Sequence, residues 1–286
     1  MAILIDRDTP LLVQGMTGRI GRQITLQMLS YGTNVVAGVT PGRGGEWFDG
    51  KPIFDTVTKA VEATGAIGSV IAVPAPYVLD AVIEAVDAGL KTIICLTRHT
   101  PVHDAMRMLH YIDDHSICLL GPGSPGILIP GQVSAGVIPP QVTTPGKVAV
   151  IARSTTLMYA ICYVLSRQGL GQSVVVGVGS DRLIGMGFAD LLEMLEADIE
   201  TERILLVGEM AGEDEIDAAR FVHKNMTKPV VAFVVGRSYP PGLGTLTPLE
   251  SHRVADDVAV DKIERMQSLG VRVAQHPDEI IGLLQQ

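Results

Sequence analysis

The chain has 286 residues, of which 47% are hydrophobic and 4% aromatic, and its formal net charge is −9. This length suits two domains of ordinary size, each with its own core. The negative charge and the lack of a basic run argue against nucleic acid as the main partner, and no apolar run reaches the ~18 residues of a membrane span. The N-terminus lacks the basic and long apolar regions of a signal peptide, so we expect a cytoplasmic protein. Three scattered cysteines show neither a metal nor a disulfide spacing and are expected to be buried thiols: Cys95, Cys118 and Cys162.

A glycine-containing turn at residues 15–21 follows the first predicted strand. Residues 11–13 form an apolar run typical of a buried parallel strand, and apolar residues then recur every four positions from Ile20 to Met28, which predicts a helix ending near Gly32. A strand that turns on glycines into a helix leaves N–H groups unpaired. Together with the positive end of the helix dipole, these donors form a potential phosphate site. The alternative is a turn that serves only packing in an α/β domain.

The next predicted strand, residues 34–39, ends in a loop that contains an arginine. An NAD-binding domain usually has an acidic residue there for the ribose hydroxyls, whereas residues 40–45 contain Arg43 and no carboxylate. An arginine suits a ligand with an additional phosphate, such as NADP or coenzyme A. The alternative is a solvated arginine on a surface loop. We favour binding, because Arg43 and the glycine turn are predicted to lie at the same edge of the sheet.

Strands and helices continue to alternate through the first half of the chain. We predict strands at 69–73, 92–96 and 117–120 and helices at about 78–86 and 104–111. This alternation predicts a doubly wound parallel sheet that binds ligands at the carboxyl ends of its strands. A stretch rich in proline and glycine follows at residues 121–146, and we place the domain boundary in it.

The second half begins a new alternation of strands and helices. A strand at 147–152 and a turn at 153–156 precede an apolar helix, which Ser154 or Thr155 can cap, so we expect a second helix start that is ready to bind an anion. Glu209 follows a strand and offers a carboxylate at its carboxyl end. The loop from 237 to 253 is long enough to be expected to carry chemistry. Other strands are predicted at residues 173–178, 203–207, 230–235 and 271–273.

The order of these motifs resembles the α subunit of succinyl-CoA synthetase, the ligase that joins succinate to coenzyme A with ATP or GTP. The resemblance covers essentially the whole chain and depends on segments at residues 2–6, 14–18, 38–45, 73–76, 145–148, 156–159 and 208–209. It implies an α/β protein with an N-terminal Rossmann-like coenzyme A-binding domain at residues 1–125. A Pro/Gly-rich connection at 126–146 and a C-terminal flavodoxin-like ligase domain at 147–286 would complete the chain.

The resemblance also assigns candidate site residues. Matched residue by residue, it implies that coenzyme A contacts Thr17, Gly18, Arg19, Ile20, Arg43, Leu96, Thr97 and Arg98. The family usually has lysine at the position of Arg43, which preserves the charge, and glutamate at the position of Arg98, which reverses it. Tyr159 matches a residue that binds the substrate, and Glu209 is assigned to catalysis.

The chain departs from the family pattern at the catalytic site. The family's catalytic residue is a histidine in a Gly-His-Ala-Gly loop, and it is phosphorylated during the reaction. An ungapped alignment from Gly236 to Gly270 places Thr247 at that position, and the family's Ser-Arg-Ser-Gly turn becomes Ala-Arg-Ser-Thr at residues 152–155. Threonine is a poor nucleophile without an adjacent base. His252 would replace the histidine only if the loop is rebuilt, and we expect it to be a surface residue.

The resemblance therefore implies an acyl-CoA synthetase α-subunit homologue that joins coenzyme A to a small carboxylic acid. A β subunit of the ATP-grasp type would hold ATP or GTP with Mg²⁺, and no metal site is expected on this chain. The alternative is a non-catalytic coenzyme A-binding accessory or regulatory subunit, which the loss of the histidine favours and the retained Tyr159 and Glu209 disfavour. An NADP-dependent oxidoreductase is a third hypothesis, disfavoured because the second half has no recognisable arrangement for hydride transfer.

Overall fold

The computed structural model describes residues 3–113, 115–236 and 258–286 of the chain. They form two compact units. The N-terminal unit comprises the described residues up to Ile138 together with Val178–Gly185, and the C-terminal unit comprises Pro139–Gly177 and the described residues from Met186 onward. Both units are built on mainly parallel sheets with helices between the strands, which confirms the predicted α/β class.

The N-terminal unit has the strand order of a Rossmann fold. Its elements are β1 (Leu11–Gln14), α1 (Arg19–Tyr31), β2 (Val35–Val39), β3 (Trp47–Phe48), β4 (Lys51–Phe54), α2 (Val57–Thr64), β5 (Gly68–Ile71), a 3-10 helix at Ala75–Tyr77, α3 (Val78–Asp87), β6 (Thr92–Cys95), α4 (Val102–Asp113), β7 (Cys118–Leu120), β8 (Gly126–Ile129) and β9 (Val133–Gly136). The sheet order is β3-β4-β2-β1-β5-β6-β7, and its neighbouring strands are parallel except β3 and β4. Counted among the parallel strands alone, this is the 3-2-1-4-5-6 order of dinucleotide-binding folds.

The core of this unit forms because the strands are apolar on both faces. Leu12, Ile71 and Ile93 from neighbouring strands are buried against Val82 and Met108 from α3 and α4. Near-continuous apolar strands of this kind need helices on both sides of the sheet. The order of the strands puts β1 between β2 and β5, where successive connections leave in opposite directions, so the turn after β1 lies at the topological switch point where such sheets bind ligands.

A hairpin of β8 and β9 packs against α1. The two strands are antiparallel, and Thr33 Oγ1, just after α1, donates to the carbonyl oxygen of Ser134 at 2.7 Å and accepts from its N–H at 3.1 Å. Gln27 Nε2 donates to the carbonyl oxygen of Ile138 at 3.2 Å. The stretch at 126–146, which we predict as a connection, therefore contains a hairpin of the N-terminal unit, and the units divide between Ile138 and Pro139. The domain limits themselves stay a prediction.

The C-terminal unit has the strand order of a flavodoxin-like fold. Its elements are a 3-10 helix at Pro140–Val142, β10 (Pro145–Ala152), α5 (Thr155–Arg167), β11 (Gln172–Gly177), α6 (Phe188–Ala197), β12 (Arg203–Gly208), α7 (Asp214–Asn225), β13 (Val230–Val234), α8 (Val258–Ser268), β14 (Arg272–Ala274) and α9 (Glu279–Gln285). Its parallel strands follow the order β14-β13-β12-β10-β11, which is the 2-1-3-4-5 order read from the other edge. The turns after β10 and β12 consequently lie at the switch point of this sheet. In the part of the chain that the structure describes, we find no helix with the length and apolarity of a membrane span.

Candidate functional site

The turn after β1 leaves the backbone at the start of α1 accessible. Gly18 is the N-cap residue of α1, and its backbone is extended, with φ −68° and ψ 160°. Glycine has no side chain with which to cap the helix. Gly18, Arg19 and Ile20 are all exposed, Ile20 to 56% in spite of its apolar side chain. The N–H groups of this first helical turn, with the positive end of the helix dipole, form a site suited to a phosphate.

Close backbone packing fixes the shape of this turn. Gly15 has φ +83°, and a Cβ atom there would lie 2.9 Å from the carbonyl oxygen of Ala72. A Cβ atom on Gly21 would lie 2.0 Å from the carbonyl oxygen of Gly15. Glycine is therefore required at both positions, and the spacing of glycines in the sequence reflects the close approach of α1 to the ends of β1 and β5.

The loop after β2 contacts the glycine turn. The hydroxyl of Thr17 donates to that of Thr40 at 3.2 Å. The carbonyl oxygen of Thr17 accepts from Arg22 Nε at 3.0 Å, and the Arg22 guanidinium lies 5.2 Å from the ring centroid of Phe48 in β3, a cation–π contact. Thr17 and Arg22 thus join the turn to the segment from β2 to β3. Thr40 is a residue of this edge that the sequence analysis missed.

Arg43 is paired with a carboxylate. Its Nε lies 2.6 Å from Glu46 Oε1, and its Nη2 donates to Glu46 Oε2 at 2.8 Å. The two side chains are each 46% exposed. This pairing corrects one part of the sequence interpretation, which took the loop as free of carboxylates: Glu46 lies one residue beyond the segment at 40–45.

The end of β6 brings further predicted contact residues to the same edge. Thr97 Oγ1 donates to the carbonyl oxygen of Val73 at 2.6 Å, and the N–H of Leu96 donates to the carbonyl oxygen of Ile71 at 3.0 Å. A Cβ atom on Gly15 would lie 3.2 Å from Val73 Cγ1, so Val73 packs directly on the glycine turn. The structure therefore links Thr97 to the turn through a single residue.

Arg98 is held by a segment that is distant in sequence. Its Nε donates to Ser180 Oγ at 3.1 Å, a contact between residues 82 positions apart. Ser180 lies within Val178–Gly185, which belongs to the N-terminal unit although the strand before it belongs to the C-terminal unit.

Asp181 is the residue of this segment that fixes the backbone after Thr97. Its carboxylate accepts from the N–H groups of His99 at 3.0 Å and Thr100 at 2.9 Å. His99 has φ +63°, so these two bonds hold an unusual backbone conformation in place. No local sequence pattern connects Asp181 with residues 81 and 82 positions earlier, so Asp181 is a functional residue that the sequence alone does not indicate.

Two of the three cysteines are unsuited to nucleophilic chemistry. Burial raises the pKa of Cys95 to about 12, against a hydrogen bond with the Thr97 backbone that lowers it. Burial also raises the pKa of Cys162 to about 12. The prediction of buried thiols is confirmed for these two, whereas Cys118 is only partly buried.

The turn after β10 in the C-terminal unit begins with a buried arginine. Arg153 is 2% exposed, and its Nη1 contacts Asp214 Oδ2 at the start of α7. Ser154 is the N-cap residue of α5, which confirms one of the two predicted cap positions, but its side chain makes no capping hydrogen bond with the described residues. Thr155 is the first residue of the helix. The cation of this turn is therefore neutralised by an acid of the protein itself.

Glu209 lies in a loop whose backbone is held by a buried ion pair. Lys262 and Glu215 are 3% and 1% exposed in their side chains, and Lys262 Nζ lies 2.6 Å from Glu215 Oε2. The other carboxylate oxygen of Glu215 accepts from the N–H of Glu209 at 2.8 Å. Lys262 Nζ donates to the carbonyl oxygens of Glu209 at 2.7 Å and Ala211 at 3.0 Å. Both backbone groups of Glu209 are thus fixed.

Of the remaining predicted site residues, the structure describes Tyr159 and does not describe Thr247 or His252. The register pairs Ala152 with Val207, so the turn at Arg153 and the loop at Glu209 lie at neighbouring strand ends. Tyr159 lies on α5, and burial raises its pKa to about 12, so its hydroxyl is a hydrogen-bond donor at neutral pH. Thr247 and His252 lie outside the described residues. Within 3–113, 115–236 and 258–286, no group of three or more His, Cys, Asp or Glu side chains is arranged to hold a metal ion.

Comparisons with known proteins agree over both units. Residues 6–99 match the family described as CoA binding domain, and residues 145–285 match the family described as succinyl-CoA ligase like flavodoxin domain. The Archaeoglobus fulgidus protein named succinate–CoA ligase (ADP-forming) subunit alpha 2 is 45% identical over an alignment of 286 positions, which covers 99% of this chain and 99% of that protein. The succinate–CoA ligase (ADP-forming) subunit alpha of Staphylococcus aureus is 41% identical over 282 residues, 98% of this chain and 93% of that protein.

Solved structures share the fold at lower identity. An ATP citrate lyase from Methanothrix soehngenii, solved with citrate and coenzyme A, matches 99% of this chain with a TM-score of 0.86 and 22% identity. This chain spans 50% of that protein's length. The dinucleotide forming acetyl-coenzyme A synthetase 1 of Ca. Korarchaeum cryptofilum, solved with phosphate and ADP, matches 95% of this chain with a TM-score of 0.75 and 22% identity, and this chain spans 59% of it. At these identities the likeness concerns the fold alone.

Proposed function

Because the chain belongs to the family of succinate–CoA ligase α subunits, we propose that it is the coenzyme A-binding subunit of a cytoplasmic acid–thiol ligase. In this proposal the second substrate is a small carboxylic acid. The partner is a β subunit of the ATP-grasp type that holds ATP or GTP with Mg²⁺. The α/β architecture and both matched domains support this assignment.

Coenzyme A is assigned to the edge of the N-terminal sheet. The first helical turn, with Gly18 at the N-cap, offers N–H groups to the diphosphate, and Arg43 lies at the end of β2, where the ribose of a nucleotide is usually bound. The ribose of coenzyme A carries a phosphate, which an arginine fork binds well. The observation that carries the proposal is that the glycine turn contacts Thr40 through Thr17 and is linked to Thr97 through Val73, which packs on Gly15.

The ligase reaction needs two bond exchanges. An oxygen of the carboxylate bonds to the terminal phosphorus of ATP or GTP, and the P–O bond to ADP or GDP breaks, which gives an acyl phosphate and the nucleoside diphosphate. The thiol sulfur then bonds to the acyl carbon, the C–O bond to phosphate breaks, and phosphate leaves with that electron pair while the thiol loses its proton. We assign proton removal to Glu209, the carboxylate to which the family resemblance gives a catalytic role. Its backbone is held at the N–H by Glu215 and at the carbonyl by Lys262. Tyr159 is assigned to hydrogen bonding of the carboxylic acid.

A non-catalytic coenzyme A-binding subunit is the second candidate function. It is favoured by Thr247 at the position of the family's phosphohistidine and by the pairing of Arg153 with Asp214, which leaves less positive charge for a phosphoryl group. The two candidates share the coenzyme A site and differ only in the chemistry of the C-terminal unit.

Calorimetric titration tests the shared part of the proposal. Arg43→Glu is expected to weaken coenzyme A binding at least about tenfold, because a charge-assisted contact is worth roughly 1.5–3 kcal/mol. Lys91→Glu is the matched control: it makes the same charge change on an exposed residue at the amino end of β6, on the opposite edge of the sheet. Tight NADP binding with no response to coenzyme A would contradict the proposal.

Reconstitution with a β subunit distinguishes the two candidates. The chain is co-purified with the product of a neighbouring β-like gene, and release of ADP or GDP is measured with coenzyme A and a set of small carboxylic acids. Turnover that needs this chain and is lost in Glu209→Gln supports the ligase. Turnover by the partner alone, unchanged when this chain is added, supports the accessory subunit.

A further inference from the structure

We infer that Glu46 is an internal competitor for the phosphate that Arg43 binds, so that Glu46 tunes how strongly the site selects a ligand with a phosphate on its ribose. The inference rests on the proposed function, because it takes coenzyme A as the ligand. It concerns a residue outside the set that the sequence analysis assigned to the site.

The geometry of the pair supports this competition. Glu46 occupies the edge of the guanidinium formed by Nε and Nη2, with one carboxylate oxygen on each nitrogen, at 2.6 and 2.8 Å. An arginine binds carboxylate and phosphate through the same parallel pair of N–H groups. A phosphate that takes up this edge must therefore displace Glu46.

The backbone keeps the two side chains together in the absence of a ligand. The N–H of Arg43 donates to the carbonyl oxygen of Thr40 at 3.1 Å, and the N–H of Glu46 donates to that of Arg43 at 3.2 Å. Glu46 is paired in turn with Ile53, since its carbonyl oxygen accepts from the Ile53 N–H at 2.9 Å. Because Thr40 contacts Thr17, this ordered loop presents the pair beside the glycine turn.

The exposure of Arg43 and Glu46 limits how much their ion pair can change the affinity for coenzyme A. Both side chains are 46% exposed, and an ion pair of this kind shifts an equilibrium by up to about fivefold. A ribose phosphate carries more negative charge than one carboxylate, so it displaces Glu46. The displaced carboxylate stays close to the phosphate and repels it. Glu46 thus weakens binding of coenzyme A without preventing it, and it has no such effect on dephospho-coenzyme A, which leaves the pair intact.

A titration of variants against both ligands tests the inference on the full-length chain. Glu46→Gln is expected to tighten coenzyme A binding about two- to fivefold and to leave dephospho-coenzyme A binding unchanged. Asp49→Asn is the matched control, because it removes the same charge from an exposed residue between β3 and β4. The gain is expected to shrink at high salt and to vanish when Arg43→Gln is already present.

Several outcomes overturn the inference. Weaker binding of both ligands by Glu46→Gln would mean that Glu46 holds a ribose hydroxyl or orients Arg43. Unchanged affinity for coenzyme A, an equal gain for both ligands, or a gain that persists with Arg43→Gln would also contradict it. Failure of both wild type and Glu46→Gln to bind coenzyme A overturns the proposed function as well, whereas normal binding that Glu46→Gln leaves unaltered overturns this inference alone.

Discussion

The two units each place a turn between a central strand and a helix, but the two turns differ in the state of their charges. The turn after β1 ends in Gly18, with exposed backbone donors, and its neighbouring cation, Arg43, is half exposed. The turn after β10 contains Arg153, which is buried and paired with Asp214. An exposed cation can exchange its partner for a ligand, whereas a buried cation is costly to separate from its partner, even though the Asp214 side chain is itself 40% exposed. Two topologically equivalent helix starts are therefore not equivalent anion sites.

The loop after β12 extends the difference between the units. Glu215 and Lys262 are buried and use their charges to hold the backbone of Glu209, while a Cβ atom on Gly208 would lie 2.5 Å from Glu215 Cγ. The charges beside Glu209 thus serve to fix a backbone, whereas the charges of Arg43 and Glu46 remain accessible to solvent.

The largest expected effect comes from breaking the buried pair. Lys262→Met should lower the free energy of unfolding of the C-terminal unit by about 3–5 kcal/mol, because it leaves Glu215 as an uncompensated buried charge. Urea unfolding followed by circular dichroism measures this loss. Lys224→Met, at the exposed end of α7, is the control and should change stability by less than about 0.5 kcal/mol.

Removing both charges tests the cause of that loss. The double substitution Lys262→Met with Glu215→Leu should recover part of the stability, since the isolated charge is then absent. A single substitution no more harmful than Lys224→Met would contradict the role of the pair in holding the loop.

A smaller difference in the free energy of unfolding is expected between alanine variants of two glycines in the N-terminal unit. Gly15 and Gly32 have φ of +83° and +91°, but a Cβ atom on Gly32 meets no atom within 4 Å, while one on Gly15 meets the Ala72 carbonyl oxygen at 2.9 Å. Alanine at either position is strained in the left-handed region, by about 1–2 kcal/mol. Gly15→Ala should lose a further 1–3 kcal/mol or so through overpacking. Urea unfolding of both variants measures the difference, and equal losses would show that the turn can move away from Ala72.

The difference between local and distant contacts explains how much of the structure could be predicted from the sequence. The strands, the glycine turn and the doubly wound parallel sheet follow from apolar runs, glycine spacing and alternation, which are local signals, whereas the Rossmann-like and flavodoxin-like folds were implied only by the family resemblance. The role of Asp181 was not predictable, because its partners His99 and Thr100 lie 82 and 81 positions away. The pairing of Arg43 with Glu46 depends on the folded turn between them. Glycine and proline also made the β8–β9 hairpin resemble a plain connection.

A still smaller effect is expected on the alkylation of two buried cysteines. Burial raises the pKa of Cys95, at the end of β6, and of Cys162, on α5, to about 12, so both remain protonated thiols at pH 8. Iodoacetamide at pH 8 should label the partly buried Cys118 first and leave the other two almost unmodified in the native protein. Mass spectrometry of native and urea-unfolded samples gives the comparison. Rapid native labelling of Cys95 would show that the loop carrying Thr97 opens readily.

The last prediction expects no effect at all: Thr247→His should not restore a phosphoenzyme. Thr247 lies outside the described residues, but the turn after β10 gives the physical reason. Arg153 forms an ion pair with Asp214. Thr155 places a β-branched side chain at the first position of α5, where the family has glycine. A histidine at position 247 would therefore lack an open, positively charged turn to receive the phosphoryl group.

The measurement uses the chain with its β subunit and ATP or GTP labelled at the terminal phosphate, followed by acid-lability analysis and peptide mapping. The Staphylococcus aureus α subunit with its own partner is the positive control if it labels under the same conditions. Thr247→His and wild type should both remain unlabelled. Adding Thr155→Gly to Thr247→His tests whether the crowded turn is the obstacle, and label on this double variant alone would identify it. Acid-labile label on Thr247→His alone would contradict the prediction, and label on His252 in wild type would show that the catalytic histidine occupies another position in the loop.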